Sequence, residues 1–353
     1  MITKVLTIGG GTGHFTLLSG LKKHDVDITA VVSMADDGGS TGRLRDELGV
    51  LPPGDIRQCL VALSDSSELL RELMNYRFPI TKRNGKVVDG LGGHNFGNLL
   101  LSALEKITGN FTKGAEEASK ILNTKGMVLP VANKEMNLAI KLNNGQEIVG
   151  EKFLDHNDDI RHYGVKKVSL KPLVKANDKV LQAIRQADVI VLGPGDHYGS
   201  IIPNLLVKGI PEAINGSKAT VIYNCNLTNK KGQTDGYDLE RYVEEMNEYL
   251  GGNRVDYVIF PTRKPPESLV KKYEKKEGKN SIVNFEDRVK ERKYKVVLAD
   301  VTGKYHKVGT VRGTNDLIAD SRSFIRHDSD RLAKAVLLVG ERKKYRKIIK
   351  EII

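Results

Sequence analysis

The sequence predicts a doubly wound α/β fold, and three observations support this. The run "KVLTIGGGTG" (4–13) ends in a glycine cluster before "HFTLLSGLKK", which has helical spacing, so a strand, a turn and a helix follow one another. "VDITAVVSMAD" (26–36) then supplies a second strand and a right-handed βαβ unit. Buried strands recur at 187–195, 218–226 and 255–260, alternating with helical patterns. We therefore expect one domain, residues 1–353, built on a Rossmann-like, mostly parallel sheet.

The segments between these strands differ in character. Residues 36–57, "DDGGSTGRLRDELGVLPPGDIR", carry no hydrophobic period and predict a polar loop over the carboxyl ends of the strands. Helices are expected near 55–76 and from about 95 to 108. The short alternating runs "MVLPVA", "NLAIKL" and "GQEIVGE", with "NNG" as a hairpin signal, predict a small antiparallel insertion over 127–172.

The C-terminal part of the chain is strongly basic. Residues 263–295 hold 12 Lys and Arg against 6 Asp and Glu, and residues 341–353 hold 6 against 2. These two stretches supply most of the net charge of +12. We expect 263–295 to form a charged, mobile C-terminal lobe, and we expect a final helix with a break near Gly340. Neither stretch interleaves aromatic residues with its charges as a base-stacking surface would, so nucleic-acid binding is disfavoured.

Composition favours a cytoplasmic protein. No apolar run approaches the roughly 20 residues needed to span a bilayer, and "MITKVLTIGGG" lacks the basic and apolar regions of a signal peptide. The cysteines, Cys59 and Cys225, form no CxxC pair and are expected in the core. The sequence also lacks GxSxG, HExxH and clustered Cys/His motifs, which argues against hydrolases and zinc enzymes.

Two glycine-rich turns follow buried strands and predict a ligand site. "GGGTG" (9–13) joins the first strand to the first helix, where glycines and unpaired N–H groups can approach an anion. It fits neither GxGxxG nor a Walker A motif, so a tight turn without a ligand remains the alternative. "GPG" (193–195) follows a second buried strand. Two such turns in one sheet predict a nucleotide or other diphosphate at the topological switch point.

Two polar segments add candidate ligand contacts. "GGHNFGN" (92–98) opens a helix with His94, Asn95 and Asn98, of which helix capping explains only one. In 36–57, Asp36 and Asp37 end the second strand, where an acidic group can bind a ribose, or Mg²⁺ together with phosphates. A solvated surface loop is the alternative for this segment. Its further candidates, expected to close over the ligand, are Ser40, Arg43, Asp55 and Arg57.

These motifs, taken in order, resemble the family that joins 2-phospho-L-lactate transferases (CofD-like) to the bacterial YvcK-type gluconeogenesis factors. The resemblance covers nearly the whole chain and is carried by long blocks such as "ADDGGSTGRLR" (35–45), "LPPGDIRQCLVALSD" (51–65), "HNFGNLLLSAL" (94–104), "YNCNLTNKKGQTDGY" (223–237) and "RHDSDRLA" (326–333). "GGSTGRLR" followed by "PPGDIR" looks like the YvcK branch. Where that branch usually reads "GPGSLYTSI", this chain has "GPGDHYGSI", so Asp196 and His197 depart from the pattern. A carboxylate beside a phosphate turn is repulsive unless a cation intervenes.

The resemblance implies a cytoplasmic regulator that binds UDP-sugars such as UDP-N-acetylglucosamine and supports cell shape and wall synthesis during gluconeogenic growth. The resemblance implies no specific catalysed reaction, so we expect a protein that is non-catalytic or only weakly catalytic. The alternative is a transferase that moves a phospholactyl group from a nucleotide-activated donor to a deazaflavin with Mg²⁺. A third hypothesis is an NAD-like ligand in the same crevice. We expect protein partners in cell-wall regulation and a homo-oligomer. The predicted ligand contacts are Gly10, Gly11, Thr12, Gly13, Asp36, Asp37, Ser40, Arg43, Asp55, Arg57, His94, Asn95, Asn98, Gly193, Pro194 and Gly195, with Asp36 and Asp37 as candidate Mg²⁺ ligands and no catalytic residue assigned.

Overall fold

The computed structural model describes residues 2–80, 82–83, 86–87, 90–286, 291–303 and 325–342. Seven strands form one parallel sheet: β1 (Thr3–Gly9), β2 (Val26–Val32), β5 (Met127–Pro130), β9 (Val189–Leu192), β10 (Thr220–Asn224), β11 (Tyr257–Pro261) and β12 (Lys295–Ala299). Their spatial order is β12-β11-β10-β9-β1-β2-β5, and every pairing is parallel. The chain therefore builds one way from β1 to β2 and β5, and the other way from β9 to β12. This confirms the doubly wound fold and places the switch point between β1 and β9.

Helices cover both faces of the sheet. They are α1 (Gly11–Leu21), α2 (Gly39–Leu48), α3 (Gly54–Leu63), α4 (Glu68–Asn75), α5 (Phe96–Thr108), α6 (Phe111–Ile121), α7 (Phe153–His156), α8 (Asp158–Tyr163), α9 (Asp178–Gln186), α10 (Ile202–Leu205), α11 (Ile210–Gly216), α12 (Leu239–Leu250), α13 (Glu267–Glu277) and α14 (Ser329–Gly340), with a π-helical turn at His197–Ile201. The α1 helix packs against α3 and α14, whereas α9 packs against α11 and α11 against α12. Right-handed crossovers in opposite directions put these groups on opposite faces. No helix among the described residues is long and apolar enough to cross a membrane.

A separate antiparallel sheet confirms the predicted insertion in kind, although its first strand belongs elsewhere. Its strands β6 (Asn137–Leu142), β7 (Glu147–Val149) and β8 (Val165–Lys171) run in the order β7-β6-β8. The run at 127–130, expected within the insertion from residue 127, instead pairs with β2 in the main sheet. The local sequence of a four-residue edge strand is compatible with either sheet, so only its distant pairing partner determines which sheet it joins. Among the described residues there is also a two-stranded hairpin, formed by β3 (Lys82–Arg83) and β4 (Lys86–Val87).

Two other segments differ from their predictions. Much of 36–57 is helical, because α2 and the start of α3 lie within it. The α2 helix buries Ser40, Thr41 and Gly42 with a single large apolar residue, Leu44, rather than an apolar stripe. Hydrophobic periodicity cannot detect such a helix. The basic stretch 263–295 contains α13, while its residues 287–290 lie outside the described part of the chain. Helix α14 ends at Gly340, where a break was expected. Residues 343–353 lie outside the described part of the chain. The predicted mobility of the lobe stays a prediction.

Candidate functional site at the switch point

The first wall of the site is the turn between β1 and α1. Gly10 is the N-cap of α1 and Gly11 has φ +62°, a left-handed conformation that favours glycine. A Cβ at Gly13 would lie 2.8 Å from the carbonyl carbon and oxygen of Pro194. Glycine therefore lets the two predicted turns touch at the N-terminus of α1, where the first N–H groups of a helix have no acceptor within the helix.

The second wall is the turn after β9, which side chains from the end of β10 hold in place. Gly193 has φ +72°. The amide of Asn224 donates to the carbonyl of Gly193 at 3.3 Å, and the amide of Asn226 donates to that of Gly195 at 3.0 Å. Because these bonds occupy carbonyl oxygens of the turn, they fix its orientation toward the cavity.

A cavity of about 350 Å³ lies where the two turns meet. It includes six predicted contacts, at Gly10, Gly11, Thr12, Gly13, Pro194 and Gly195. The structure thus brings the two glycine-rich turns together around one space at the carboxyl ends of β1 and β9. The cavity is further lined by Thr16, Gln58, Asp196, His197, Ser200, Asn226, Leu227, Thr228, Lys230, Gln233, Thr234, Tyr242, Ile325, Arg326 and His327.

Lys230 provides the cation that the carboxylate of Asp196 requires. Asp196 caps the π-helical turn by accepting from the Gly199 N–H at 2.7 Å, and it pairs with the Lys230 ammonium. Lys230 also bonds Asp155 of the insertion at 2.7 Å. Burial alone would raise the pKa of Asp196, but Lys230 brings it below its ordinary value. Lys230 keeps its charge, because these carboxylates outweigh the effect of burial and raise its pKa.

His197, the other departure, lines the cavity and belongs to a buried polar network with Tyr198 and Glu245. Its Nε2 lies 2.9 Å from Glu245 Oε2, and Tyr198 donates to Glu245 Oε1 at 2.8 Å. Burial would raise the pKa of Glu245, but these partners lower it. The His197 Nδ1 has no hydrogen-bond partner among the described residues, although His197 is only 3% exposed.

Asp55 lies at the edge of the first turn, in contact with its backbone. The carboxylate accepts from the Gly11 N–H, and a Cβ at Gly10 would lie 2.2 Å from Asp55 Oδ2. Burial, and next the charge of Asp36, raise the pKa of Asp55 to about 7. Asp55 is thus close enough to the α1 N-terminus to meet an anion bound there, directly or through a cation.

The two adjacent aspartates diverge rather than form a pair. Asp37 accepts from the Lys152 N–H at 2.8 Å, which ties the insertion to the end of β2. Asp36 instead accepts from the Gly38 N–H at 2.9 Å and lies near Asp55. Burial raises the pKa of Asp36, and burial followed by the charges of Asp36 and Asp196 raises that of Glu151.

Asp36 and Asp55 fit the chemistry of Mg²⁺ better than Asp36 and Asp37. Mg²⁺ takes one or two carboxylates together with substrate phosphates. A cation would offset the charge of Asp36, which after burial is the next cause of the raised pKa of Asp55. Within the described ranges no three His, Cys, Asp or Glu side chains are arranged to hold a metal ion by themselves.

Three more predicted contacts, at Arg57, Asn95 and Asn98, are not among the residues that line the cavity and bond to other parts of the protein. Arg57, only 8% exposed, donates from Nε to Asn98 Oδ1 at 3.0 Å and from Nη1 to Asn75 Oδ1 at 2.5 Å. Asn95 caps α5 by accepting from the Asn98 N–H at 3.2 Å. The side chains of Arg57, Asn75 and Asn98 therefore connect α3, α4 and α5.

Three further predicted contacts also have protein partners. His94 Nδ1 lies 3.2 Å from Ser40 Oγ, and exposed Arg43 donates to the Gly92 carbonyl at 3.0 Å. Burial, and then Arg43, lower the pKa of His94. None of the three is among the residues that line the cavity.

Sequence reasoning missed the wall that follows β10. Asn226, Thr228, Lys230, Gln233 and Thr234 all lie in "YNCNLTNKKGQTDGY" and all line the cavity. A signal was present, because this polar run follows a buried strand, as both glycine turns do. The other missed wall, Arg326 and His327, comes from the far end of the chain and has no comparable local signal.

Comparisons with known proteins agree with this architecture. The family model described as "2-phospho-L-lactate transferase CofD" matches residues 5–302. A gluconeogenesis factor of Halalkalibacterium halodurans is 39% identical over 334 residues, covering 94% of this chain and 95% of that protein. A gluconeogenesis factor of Bacillus subtilis is 41% identical over 274 residues, covering 77% and 82%.

A solved structure shows the same fold. The crystal structure of a UPF0052 family protein from Bacillus halodurans has a TM-score of 0.82 and 36% identity, and it covers 96% of this chain and 99% of that one. Together with the family match and the switch-point site, this confirms the predicted resemblance: the chain belongs to the CofD family, among the relatives named gluconeogenesis factors.

Proposed function

We propose that this protein is a cytoplasmic regulator that binds a nucleotide sugar of the UDP-N-acetylglucosamine type. The observation that carries the proposal is the cavity of about 350 Å³ between two glycine-rich turns at the switch point. Ligands of doubly wound sheets bind at this place, outside the carboxyl ends of the strands. The two turns supply the backbone approach, and the neighbouring side chains supply the chemistry of recognition.

The diphosphate is assigned to the space between the turns. Backbone N–H groups at the start of α1 favour an anion there, and the Lys230 ammonium lines the same cavity. Where Mg²⁺ accompanies the ligand, Asp36 and Asp55 would hold it, and the ion would supply charge neutralisation of the phosphates.

The sugar is assigned to the uncharged polar wall. Eight cavity residues carry amide or hydroxyl groups on non-aromatic side chains, against three with apolar side chains, Pro194, Leu227 and Ile325. Amides and hydroxyls both donate and accept, as recognition of sugar hydroxyls requires. The bases of an NAD-like ligand would instead favour an apolar, aromatic lining.

The regulatory role rests on the relatives. Proteins named gluconeogenesis factor match most of this chain, so we propose that the ligand-bound state supports cell shape and wall synthesis during gluconeogenic growth, read by protein partners. A deletion strain tests this. It should lose normal shape on a gluconeogenic carbon source and recover on glucose, and equal growth and shape on both would contradict the role.

Isothermal titration calorimetry tests the binding proposal directly. UDP-N-acetylglucosamine should give saturable heat with and without Mg²⁺, and NAD should fail to compete. The absence of heat at millimolar ligand in both conditions would refute the proposal. Displacement of the sugar nucleotide by NAD at equal concentration would favour the dinucleotide hypothesis instead.

Transfer of a phospholactyl group is the second candidate, favoured by the CofD model match and by the Asp36–Asp55 carboxylates. Incubation with a deazaflavin acceptor, a nucleotide-activated donor and Mg²⁺, followed by mass spectrometry, separates the two. A phospholactyl–deazaflavin adduct that forms with the wild type and not without protein would favour the transferase over the regulator.

A further inference from the structure

The two ring nitrogens of His197 have different surroundings. Nε2 lies 2.9 Å from Glu245 Oε2, whereas Nδ1 is buried and has no hydrogen-bond partner among the described residues. A buried polar atom without a partner costs free energy that a hydrogen bond recovers. Because His197 lines the cavity of the switch-point site, a group of the bound ligand can provide that hydrogen bond.

Glu245 determines which of the two ring nitrogens carries the proton. Burial alone would raise the pKa of Glu245, but the hydrogen bonds from His197 and Tyr198 lower it below its ordinary value, so the carboxylate is ionised at neutral pH. An ionised carboxylate only accepts hydrogen bonds, so Nε2 must donate to it. In the neutral imidazole Nδ1 is therefore an acceptor. The ligand group that pairs with it must be a donor, such as a hydroxyl or an amide N–H.

The neighbours of His197 match the part of the site assigned to the sugar. Its ring meets that of Tyr242 edge-on, with 5.1 Å between the ring centroids, and the Tyr242 hydroxyl is hydrogen-bonded to Thr234. All three residues line the cavity. The preceding residue, Asp196, pairs with Lys230 at the position assigned to the diphosphate. A nucleotide sugar continues from its diphosphate into a terminal sugar or into the nucleoside, and uncharged polar groups favour the sugar here.

We propose that His197 is a specificity-determining residue whose Nδ1 accepts a hydrogen bond from a hydroxyl or amide N–H of the ligand's terminal sugar. Glu245 is a positioning residue, because it fixes the ring and its tautomer and is not among the residues that line the cavity. The proposal rests on the proposed function, since it assigns a further contact within the same nucleotide-sugar site. The protein then distinguishes a nucleotide sugar from the free nucleotide partly through this nitrogen.

Two amide substitutions separate the roles of the two ring nitrogens. In His197→Asn the amide reaches the position of Nδ1, so it keeps an acceptor for the ligand and loses the bond to Glu245. In His197→Gln the amide reaches the position of Nε2, so it keeps that bond and loses the acceptor. Calorimetry with UDP-N-acetylglucosamine should show binding weakened about fivefold to tenfold in His197→Gln and less than about twofold in His197→Asn. Denaturant unfolding should give the opposite order, with the lower midpoint for His197→Asn.

Tyr198→Phe is the matched control. Tyr198 donates to the same carboxylate of Glu245 at 2.8 Å and is not among the residues that line the cavity. The substitution should leave the affinity within about twofold of the wild type. Equal losses of affinity in His197→Gln and His197→Asn, or as large a loss in Tyr198→Phe, would show that the network acts only through the fold and would overturn the proposal.

Titration with UDP identifies the part of the ligand that His197 contacts. UDP lacks the terminal sugar, so the wild type and His197→Gln should bind it with equal affinity. An equal loss of affinity for UDP and for UDP-N-acetylglucosamine would place the contact on the nucleotide and overturn the proposal. A wild type that does not bind UDP-N-acetylglucosamine would refute the proposed function and this proposal with it. Wild-type binding with no difference between the variants would refute the role of His197 alone.

Nitrogen NMR tests the tautomer directly. In protein labelled with ¹⁵N-histidine, the His197 resonances can be assigned by their loss in His197→Gln. They should show a protonated Nε2 and an unprotonated Nδ1, and the Nδ1 resonance should shift on saturation with UDP-N-acetylglucosamine. In Glu245→Gln this tautomer preference should weaken, because an amide can donate to Nε2 as well as accept from it. A protonated Nδ1 in the wild type at neutral pH, or a resonance unchanged by the bound ligand, would overturn the proposal.

Discussion

Replacing Gly13 by alanine should separate the two glycine-rich turns. The added Cβ would lie 2.8 Å from the carbonyl carbon and oxygen of Pro194 and 3.0 Å from the Gly195 nitrogen. All three are backbone atoms, so no side chain can rotate away. Restoring ordinary contact requires a shift of about half an ångström or more between the turns, and the diphosphate position is defined by that separation.

The free energy can be worked out from two opposing effects. Overpacking of a well-packed site costs about 1–3 kcal/mol, whereas alanine in place of glycine within a helix gains about 1 kcal/mol. We therefore expect a net loss of about 0–2 kcal/mol in the free energy of unfolding. Gly216→Ala is the matched control, because Gly216 is also helical and has no atom within 4 Å of its added Cβ. It should gain up to about 1 kcal/mol.

Denaturant unfolding and calorimetry with UDP-N-acetylglucosamine provide the two readouts. Gly13→Ala should be less stable than Gly216→Ala by about 1–3 kcal/mol and should bind ligand at least tenfold more weakly, or about 1.4 kcal/mol. If Gly13→Ala is as stable as the control and binds like the wild type, the close approach of the turns does not define the site and the reasoning is refuted.

Three further predictions concern other residues. Arg57→Ala should lower the free energy of unfolding by about 2–4 kcal/mol, because it breaks a buried charged network, and should leave ligand affinity within about twofold of the wild type. Arg43→Ala, at an exposed residue, is the control and should lower the free energy of unfolding by less than about 0.5 kcal/mol. A large loss of affinity for Arg57→Ala alone would place Arg57 in the binding site. Burial lowers the pKa of His14 to about 4, so the unfolded state binds the proton first and stability should fall by about 3 kcal/mol as pH drops from 6.5 to 4. His14→Gln should flatten this fall, and an unchanged slope would contradict the assignment. Lys230→Gln should weaken binding of the sugar nucleotide, mainly at low salt, as calorimetry at two ionic strengths would show; undiminished affinity would separate Lys230 from the diphosphate.

The sequence was sufficient where structure is locally encoded. Strands that run into glycine turns were visible in "KVLTIGGGTG" and "ADVIVLGPG", and parallel strands end at one edge of the sheet, so their meeting at the switch point could be predicted. The family resemblance was likewise visible in long sequence blocks and is confirmed by the comparisons.

The sequence was insufficient to predict features that depend on tertiary packing. Arg57 and Asn98 look like ligand contacts, but each is the other's buried partner, and no pattern in the chain shows that pairing. Helix α2 buries Gly42, whose added Cβ would lie 2.2 Å from the Asp37 carbonyl oxygen, a close contact that hydrophobic periodicity does not encode. The strand at 127–130 found its partner about a hundred residues earlier in the chain, which local alternation cannot reveal.

The adjacency of β1 and β9 has a consequence for how the protein is made. Val5 pairs with Val189, so the central seam of the sheet joins segments more than 180 residues apart. Such a long closure is entropically costly and slow compared with local pairing. The first half of the sheet can therefore form during synthesis while the ligand site cannot, because the second turn emerges from the ribosome only later. A ligand that binds only when β1 and β9 are paired would favour this pairing by mass action. The abundance of that metabolite during translation would therefore influence how much of the newly made chain reaches the native state.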